Sequence, residues 1–255
     1  MSDQQPLVSV IIPAFNSREF LTEAVSSVRE QIYEPLEIII IDDGSTDDTV
    51  ALIASLGQDI KAATQPNLGP AAARNQGLKK AGGEFIAFLD ADDQWTEGKL
   101  VSQVRRLLGE PDLDVIIGAT QRVQAAAKSA AHSSNDRLEA VGPVWMLFGL
   151  GAGLFRREVF TRVGTFDESM RQGEDVDWFM RAREVGIQIG ISIEVAQLYR
   201  IHENNMTRNL ADKDYFFLAA IKKSLDRRRA NDTEVADLSQ VEGLAGFKME
   251  PGSDR

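Results

Sequence analysis

The sequence predicts an α/β fold with a mostly parallel central sheet flanked by helices. Three observations predict it. Short β-branched runs alternate with amphipathic segments through the first half, the rhythm of strand–helix–strand units. The run Leu36–Ile41 (LEIIII) is almost continuously apolar, as a strand covered on both faces must be. The 255 residues are 43% hydrophobic and 26% charged, an ordinary composition for one large domain or two smaller ones.

The elements follow in order. Leu7–Pro13 (LVSVIIP) is a first strand. Ser17–Arg29 carries Phe20, Leu21, Ala24, Val25 and Val28 at helical spacing. Leu36–Ile41 is the second strand, and Ser45 or Thr46 is placed to cap a helix running to about Leu56. Ile60–Thr64 is a weaker third strand. A helix over about Gly69–Ala81 leads to a fourth strand, Glu84–Leu89. Thr96–Leu108 is amphipathic, and Asp114–Ala119 is a fifth strand. The second half is less regular. Gln124–Val141 reads as a loop or weak helix, Glu174–Val185 as a helix, and Ile187–Ile201 as one or two strands. Asp212–Arg229 is a basic amphipathic helix, and the acidic stretch after Ala230 is expected to be mobile. The expected division is a main domain over 1–208, with a nucleotide-binding half to about 120 and an acceptor half after it. Residues 209–255 form an extension.

Charge and composition remove several function classes. The net charge of −11 argues against a general nucleic-acid binder, which needs a basic face. There is no cysteine, so disulfides, thiolate nucleophiles and iron–sulfur clusters are excluded. With only two histidines, His132 and His202, a bound metal must rest mainly on oxygen. His132 reads as a surface residue. Met1–Pro6 lacks the basic start and apolar core of a signal peptide, and no apolar run reaches membrane-spanning length. A cytoplasmic location is the expectation.

In open α/β sheets, ligands bind beyond the carboxyl ends of the strands. Here the first strand ends in Pro13-Ala14-Phe15-Asn16, the second in Asp42-Asp43-Gly44-Ser45, and the fourth in Asp90-Ala91-Asp92-Asp93. Asp42-Asp43-Gly44-Ser45 also reads as a simple turn before a helix cap. Three carboxylates in four residues are harder to dismiss. They repel one another unless a cation or hydrogen-bond donors compensate, and oxygen ligands suit Mg²⁺ or Mn²⁺. Gly149-Leu150-Gly151-Ala152-Gly153 is rejected as a dinucleotide loop because it does not open the first strand–helix turn.

Several segments, in this order, resemble family 2 glycosyltransferases of the GT-A fold. They are Val10–Asn16, Ile41–Asp47, Asn67–Gly77, Phe88–Asp93, Val163–Glu168, Gly173–Trp178 and Tyr199–His202, and the resemblance covers roughly Leu7–Thr207. It implies a nucleotide-diphospho-sugar donor, a divalent metal (Mn²⁺ or Mg²⁺), a hydroxyl acceptor and inversion at the anomeric carbon. UDP-sugars are the first expectation, GDP- or dTDP-sugars the second.

By that resemblance Pro13, Ala14 and Phe15 lie beside the base, where the family often has Tyr in place of Phe15. Asp43 accepts from the uracil imide, with Asp42 as the alternative partner or a structural residue. Arg74 binds the base edge or a phosphate. Asp90 serves the ribose hydroxyls or orients the site. Asp92 is the direct metal ligand, Asp93 competes for that role, and His202 joins them at the metal or diphosphate. Asp175 is the general base. Glu174 and Gly153 approach the donor or acceptor sugar. Trp178, read from its own chemistry, either stacks on a donor or acceptor sugar face or packs in the core. The acidity of Glu174 and Asp175 also suits a helix N-terminus, an effect of about 0.3–1 kcal/mol. The basic helix over 212–229 either docks on its own domain, the favoured reading, or touches an anionic membrane. The rival functions are a nucleotidyltransferase and a non-catalytic nucleotide-sugar-binding module.

Overall fold

The computed structural model describes residues 5–125, 138–146, 149–203, 205 and 210–231. Strand β1 (Val8–Ala14) lies inside the sheet because nearly every residue in it is apolar and buried. It pairs in parallel with β2 (Leu36–Asp42) on one side and β4 (Phe85–Phe88) on the other. β3 (Ile60–Thr64) extends the parallel part beyond β2. On the other flank β8 (Gly153–Arg156) runs antiparallel to both β4 and β6 (Val115–Ala125). β9 (Ile189–Arg200) then pairs in parallel with β6, and the short β5 (Gln94–Trp95) closes the far edge against β9. The order is β3-β2-β1-β4-β8-β6-β9-β5, with β7 (Leu138–Ala140) joined to β6.

Two apolar layers cover the sheet. On one face α1 (Leu21–Arg29), α2 (Thr49–Ser55) and α4 (Lys99–Gly109) pack on Val8, Val10, Ile12, Ile38 and Ile40. On the other, α3 (Pro70–Lys80), α5 (Val159–Arg162) and α6 (Glu174–Glu184) pack on Ile11, Ile39, Ile41 and Phe88. Alternate residues of β1 and β2 therefore feed opposite cores, which explains their near-continuous apolarity. Gly77 of α3 sits so close to β1 that a Cβ would lie 2.3 Å from Ile11 Cγ2. α7 (Leu210–Asn231) lies against α6. Arg227 donates to Asp177 and Glu184, Ser224 to Glu184, and Lys223 to Asp167. No helix among the described residues is long and apolar enough to cross a membrane.

The α/β fold and its mostly parallel sheet are as the sequence predicted, and the departures have local causes. α2 starts at Thr49, later than a cap at Ser45 or Thr46 would set it, because the amides of Thr46 and Asp47 bond to the Asn16 side chain. β5 is two residues long, too short to give a periodic signal. Gln124–Val141 is not simply a loop or weak helix: β6 continues to Ala125 and Leu138–Ala140 forms β7. Residues 126–137, including His132, and the tail after 231 lie outside the described residues.

Candidate active site

The carboxyl ends of β1, β2 and β4 form one rim, as parallel pairing requires. Asn16, at the end of β1, has a positive φ of 48° and accepts from the amides of Thr46 and Asp47. Its own amide donates to Ser45 Oγ at 2.9 Å. The turns after β1 and β2 are thus stitched together, and Phe15 stands 45% exposed beside them. Asp42 and Asp43 are both buried. Asp43 Oδ1 accepts from Gln65 Nε2 at 2.7 Å and the Leu68 amide at 2.9 Å, while Oδ2 accepts from the Gly69 amide at 2.8 Å. Its carboxylate therefore shapes the loop that opens α3. Asp42 Oδ1 accepts from the Ser45 amide, and its other oxygen has no partner among the described residues.

The acidic turn after β4 splits into three environments. Asp90 is 42% exposed and faces Arg74. Asp92 is half-buried, and its Oδ2 lies 2.9 Å from His202 Nε2. Burial and the neighbouring Asp90 push Asp92 above the usual carboxylate range, while His202 pulls it back. Asp93 turns inward. It is 1% exposed, accepts from the Arg200 amide at 2.9 Å and from Gln197 Nε2 at 2.5 Å, and burial raises it well above the ordinary value. Its geometry is that of a tie between the turn and β9.

Asn205 and Phe20 hold His202. The His202 amide donates to Asn205 Oδ1 at 2.6 Å, and Asn205 Nδ2 donates to the Arg200 carbonyl and lies 3.5 Å from Asp92 Oδ2. The Phe20 ring packs on the imidazole with centroids 4.6 Å apart. Among the described residues no three His, Asp or Glu side chains converge as a metal cage. Asp92 and His202 do offer one carboxylate oxygen and one imidazole nitrogen, a donor set that fits a divalent cation completed by phosphate oxygens.

α6 brings its acidic first turn to the same rim. Gly173, with a φ of 77°, turns the chain into the helix at Glu174. The buried Arg74 guanidinium joins the two sides. Its Nη2 donates to Asp90 Oδ1 at 2.6 Å and its Nη1 to Glu174 Oε1. Asp175 Oδ1 accepts from the Val176 amide at 2.7 Å. Burial raises Asp175 above the usual carboxylate range, Arg74 lowers it, and Asp90 raises it.

Gly153, expected at a sugar, lies in the core, and Trp178 takes the core alternative over the sugar face. Trp178 is fully buried, its indole N–H donating to the Gly164 carbonyl, among Phe155, Phe160, Phe166 and Phe179. It cannot stack on a ligand. Gly153 is buried under Phe155, whose ring a Cβ would meet at 2.6 Å, so close packing accounts for this glycine. Glu174 is engaged by Arg74. The glycine-rich turn is clamped from below: Trp95, Gln103 and Lys99 donate to the carbonyls of Gly151, Ala152 and Gly153. Burial pushes the Lys99 ammonium well below the ordinary lysine value. Gln197 and the site roles of Asn16 and Phe20 escape a reading of the sequence because each acts through a partner distant in the chain, Asp93, the Thr46–Asp47 amides and His202 respectively.

Residues 9–171 match the family model described as Glycosyl transferase family 2. An uncharacterized glycosyltransferase of Rickettsia bellii is 33% identical over 211 residues, which cover 78% of this chain and 29% of that protein. The chain therefore spans less than a third of that relative's length. Among solved structures, S. aureus TarS 1–349 in complex with UDP-GlcNAc is similar with a TM-score of 0.64 at 22% identity, over 85% of this chain and 65% of that one. The mannosyltransferase PcManGT from Pyrobaculum calidifontis, in complex with GDP-Man and Mn²⁺, gives 0.63 at 18% identity, over 92% and 67%. These two likenesses bear on the fold.

Proposed function

The chain belongs to glycosyl transferase family 2, with the GT-A fold, and from that premise we propose that it transfers a sugar from a nucleotide-diphospho-sugar to an acceptor hydroxyl with inversion. The observation that carries this reading is the meeting of three groups at one rim: the Asp92–His202 pair, the Asp90 carboxylate, and the Asp175 helix end tied to Asp90 by Arg74. A UDP-sugar is our first choice of donor and a GDP- or dTDP-sugar the second. The TarS complex with UDP-GlcNAc and the PcManGT complex with GDP-Man and Mn²⁺ support a nucleotide-sugar of this kind.

In this reading the base lies by Pro13, Ala14 and the exposed Phe15. Asp43 acts through the Gln65–Gly69 loop that it orders. Asp92 and His202 would hold a Mn²⁺ or Mg²⁺ ion, and Asp93 is left out because β9 occupies both its oxygens. Such an ion supplies charge neutralisation at the leaving diphosphate. Asp175 accepts the proton of the acceptor hydroxyl as that oxygen forms its bond to the anomeric carbon, opposite the leaving group. A base raised toward neutral pH by burial suits that task. We place the activity in the cytoplasm. The exposed Phe217, Leu218 and Lys222 of α7 mark the face through which a membrane contact would run.

The test is Asp175→Asn. It should keep affinity for a UDP-sugar with Mn²⁺ and lose transfer, including slow transfer to water. Near-normal turnover would remove Asp175 as the base.

A further inference from the structure

Arg74 carries one positive charge into a place with three carboxylates. Its side chain is 7% exposed, and so is that of Glu174. It comes from α3, Asp90 from the turn after β4, and Glu174 and Asp175 from the start of α6. The guanidinium fork is divided, with one terminal nitrogen on Asp90 and the other on Glu174. Its Nε is buried without a hydrogen-bond partner among the described residues. A lysine could not span both carboxylates, because its single ammonium lacks the planar fork.

We infer that Arg74 is a positioning residue that ties the base-bearing end of α6 to the donor-side turn. This rests on the reading of Asp175 as the base. The geometry gives the link two functions. Mechanically, one side chain fixes the distance between the turn that faces the donor and the helix end that faces the acceptor. Electrostatically, Arg74 is the cation facing Asp175 from α3, opposed by Asp90 from the β4 turn and by Glu174 on the same helix. The described cations that α7 sends toward α6 and the loop before it, Lys223 and Arg227, are committed to Asp167, Asp177 and Glu184. A ligand that engages Asp90 withdraws charge from this balance and leaves Arg74 freer to favour ionised Asp175. Donor occupancy is thereby passed to the base.

The substitutions Arg74→Gln and Asp90→Asn should move Asp175 in opposite directions. Carboxyl-labelled aspartate, with the Asp175 resonance assigned through D175N, reports its titration in the full chain without any substrate. In R74Q the Asp175 midpoint should rise by about one pH unit or more, as loss of an adjacent opposite charge requires. In D90N it should fall. An unmoved midpoint in R74Q overturns the inference, and so does loss of UDP-sugar affinity in R74Q with the midpoint unmoved, which would place Arg74 in donor binding. Should R74Q not fold, D90N decides alone: a fall supports the link, and a rise or no change rejects it. Near-normal turnover of D175N would strike the base reading and leave these midpoints unaffected, so the two failures are separable.

Discussion

His202 Nε2 meets Asp92 Oδ2 at 2.9 Å, joining residues 110 positions apart in the chain. The contact brings the end of β9 to the turn after β4, with Phe20 of the turn before α1 packed on the imidazole. With this pair holding the metal, His202→Ala should lower the apparent Mn²⁺ affinity, measured with a UDP-sugar present, by at least about tenfold, the lower end of what loss of an outer-shell partner costs. The thermal midpoint without metal should change little by comparison. An unaltered Mn²⁺ dependence would remove His202 from the site.

The pH profile tests the base. Asp175 must be ionised to accept a proton, and burial holds its midpoint above the usual carboxylate range. Turnover should therefore fall as pH drops through that raised midpoint, which lies above the ordinary aspartate value of about 3.9. Measured as turnover against pH at saturating donor, an acidic limb at or below that ordinary value would contradict the assignment.

Gly77→Ala separates packing from helix propensity. Alanine is favoured over glycine inside a helix by about 1 kcal/mol. Here its Cβ would come within 2.3 Å of Ile11 Cγ2, on a β1 residue that is fully buried. Overpacking of that kind costs about 1–3 kcal/mol. The midpoint of thermal unfolding should drop by several degrees, and a rise would show that α3 can shift away from β1.

Arg227→Ala tests the docking of α7. The side chain bonds to Asp177, which is 1% exposed, and to Glu184. Arg181 also pairs with Asp177, so that carboxylate keeps one partner. We expect a loss of about 1–2 kcal/mol, less than for breaking a fully buried pair. Calorimetric unfolding of R227A and of a chain ending at residue 208 should both show lower midpoints. Unchanged midpoints would mean that α7 adds nothing to the core.

Much of the sheet was legible because its signal is local. The span Ile60–Thr64 was read from its own residues, and so was the start of α6 at Glu174. The clustering of carboxylates at strand ends pointed to the rim for the same reason. What stayed hidden depends on partners far along the chain. Asp92 and Asp93 are adjacent and chemically identical, and only His202 on one side and Gln197 with the Arg200 amide on the other tell them apart. Arg74 reads as a ligand-binding arginine until Glu174, 100 residues away, closes on it. Trp178 suits a sugar face and a core equally well in sequence, and only Phe155, Phe160 and Phe166, which enclose it, decide between the two.

The most direct measurement is calorimetric titration of UDP- and GDP-sugars into the wild-type chain and Asp92→Ala, each with Mn²⁺ and again with a chelator. One nucleotide-sugar class should bind the wild type in a metal-dependent way, with binding lost on chelation and lost in D92A while the variant remains folded. Equal heats for wild type and D92A in Mn²⁺ would contradict it.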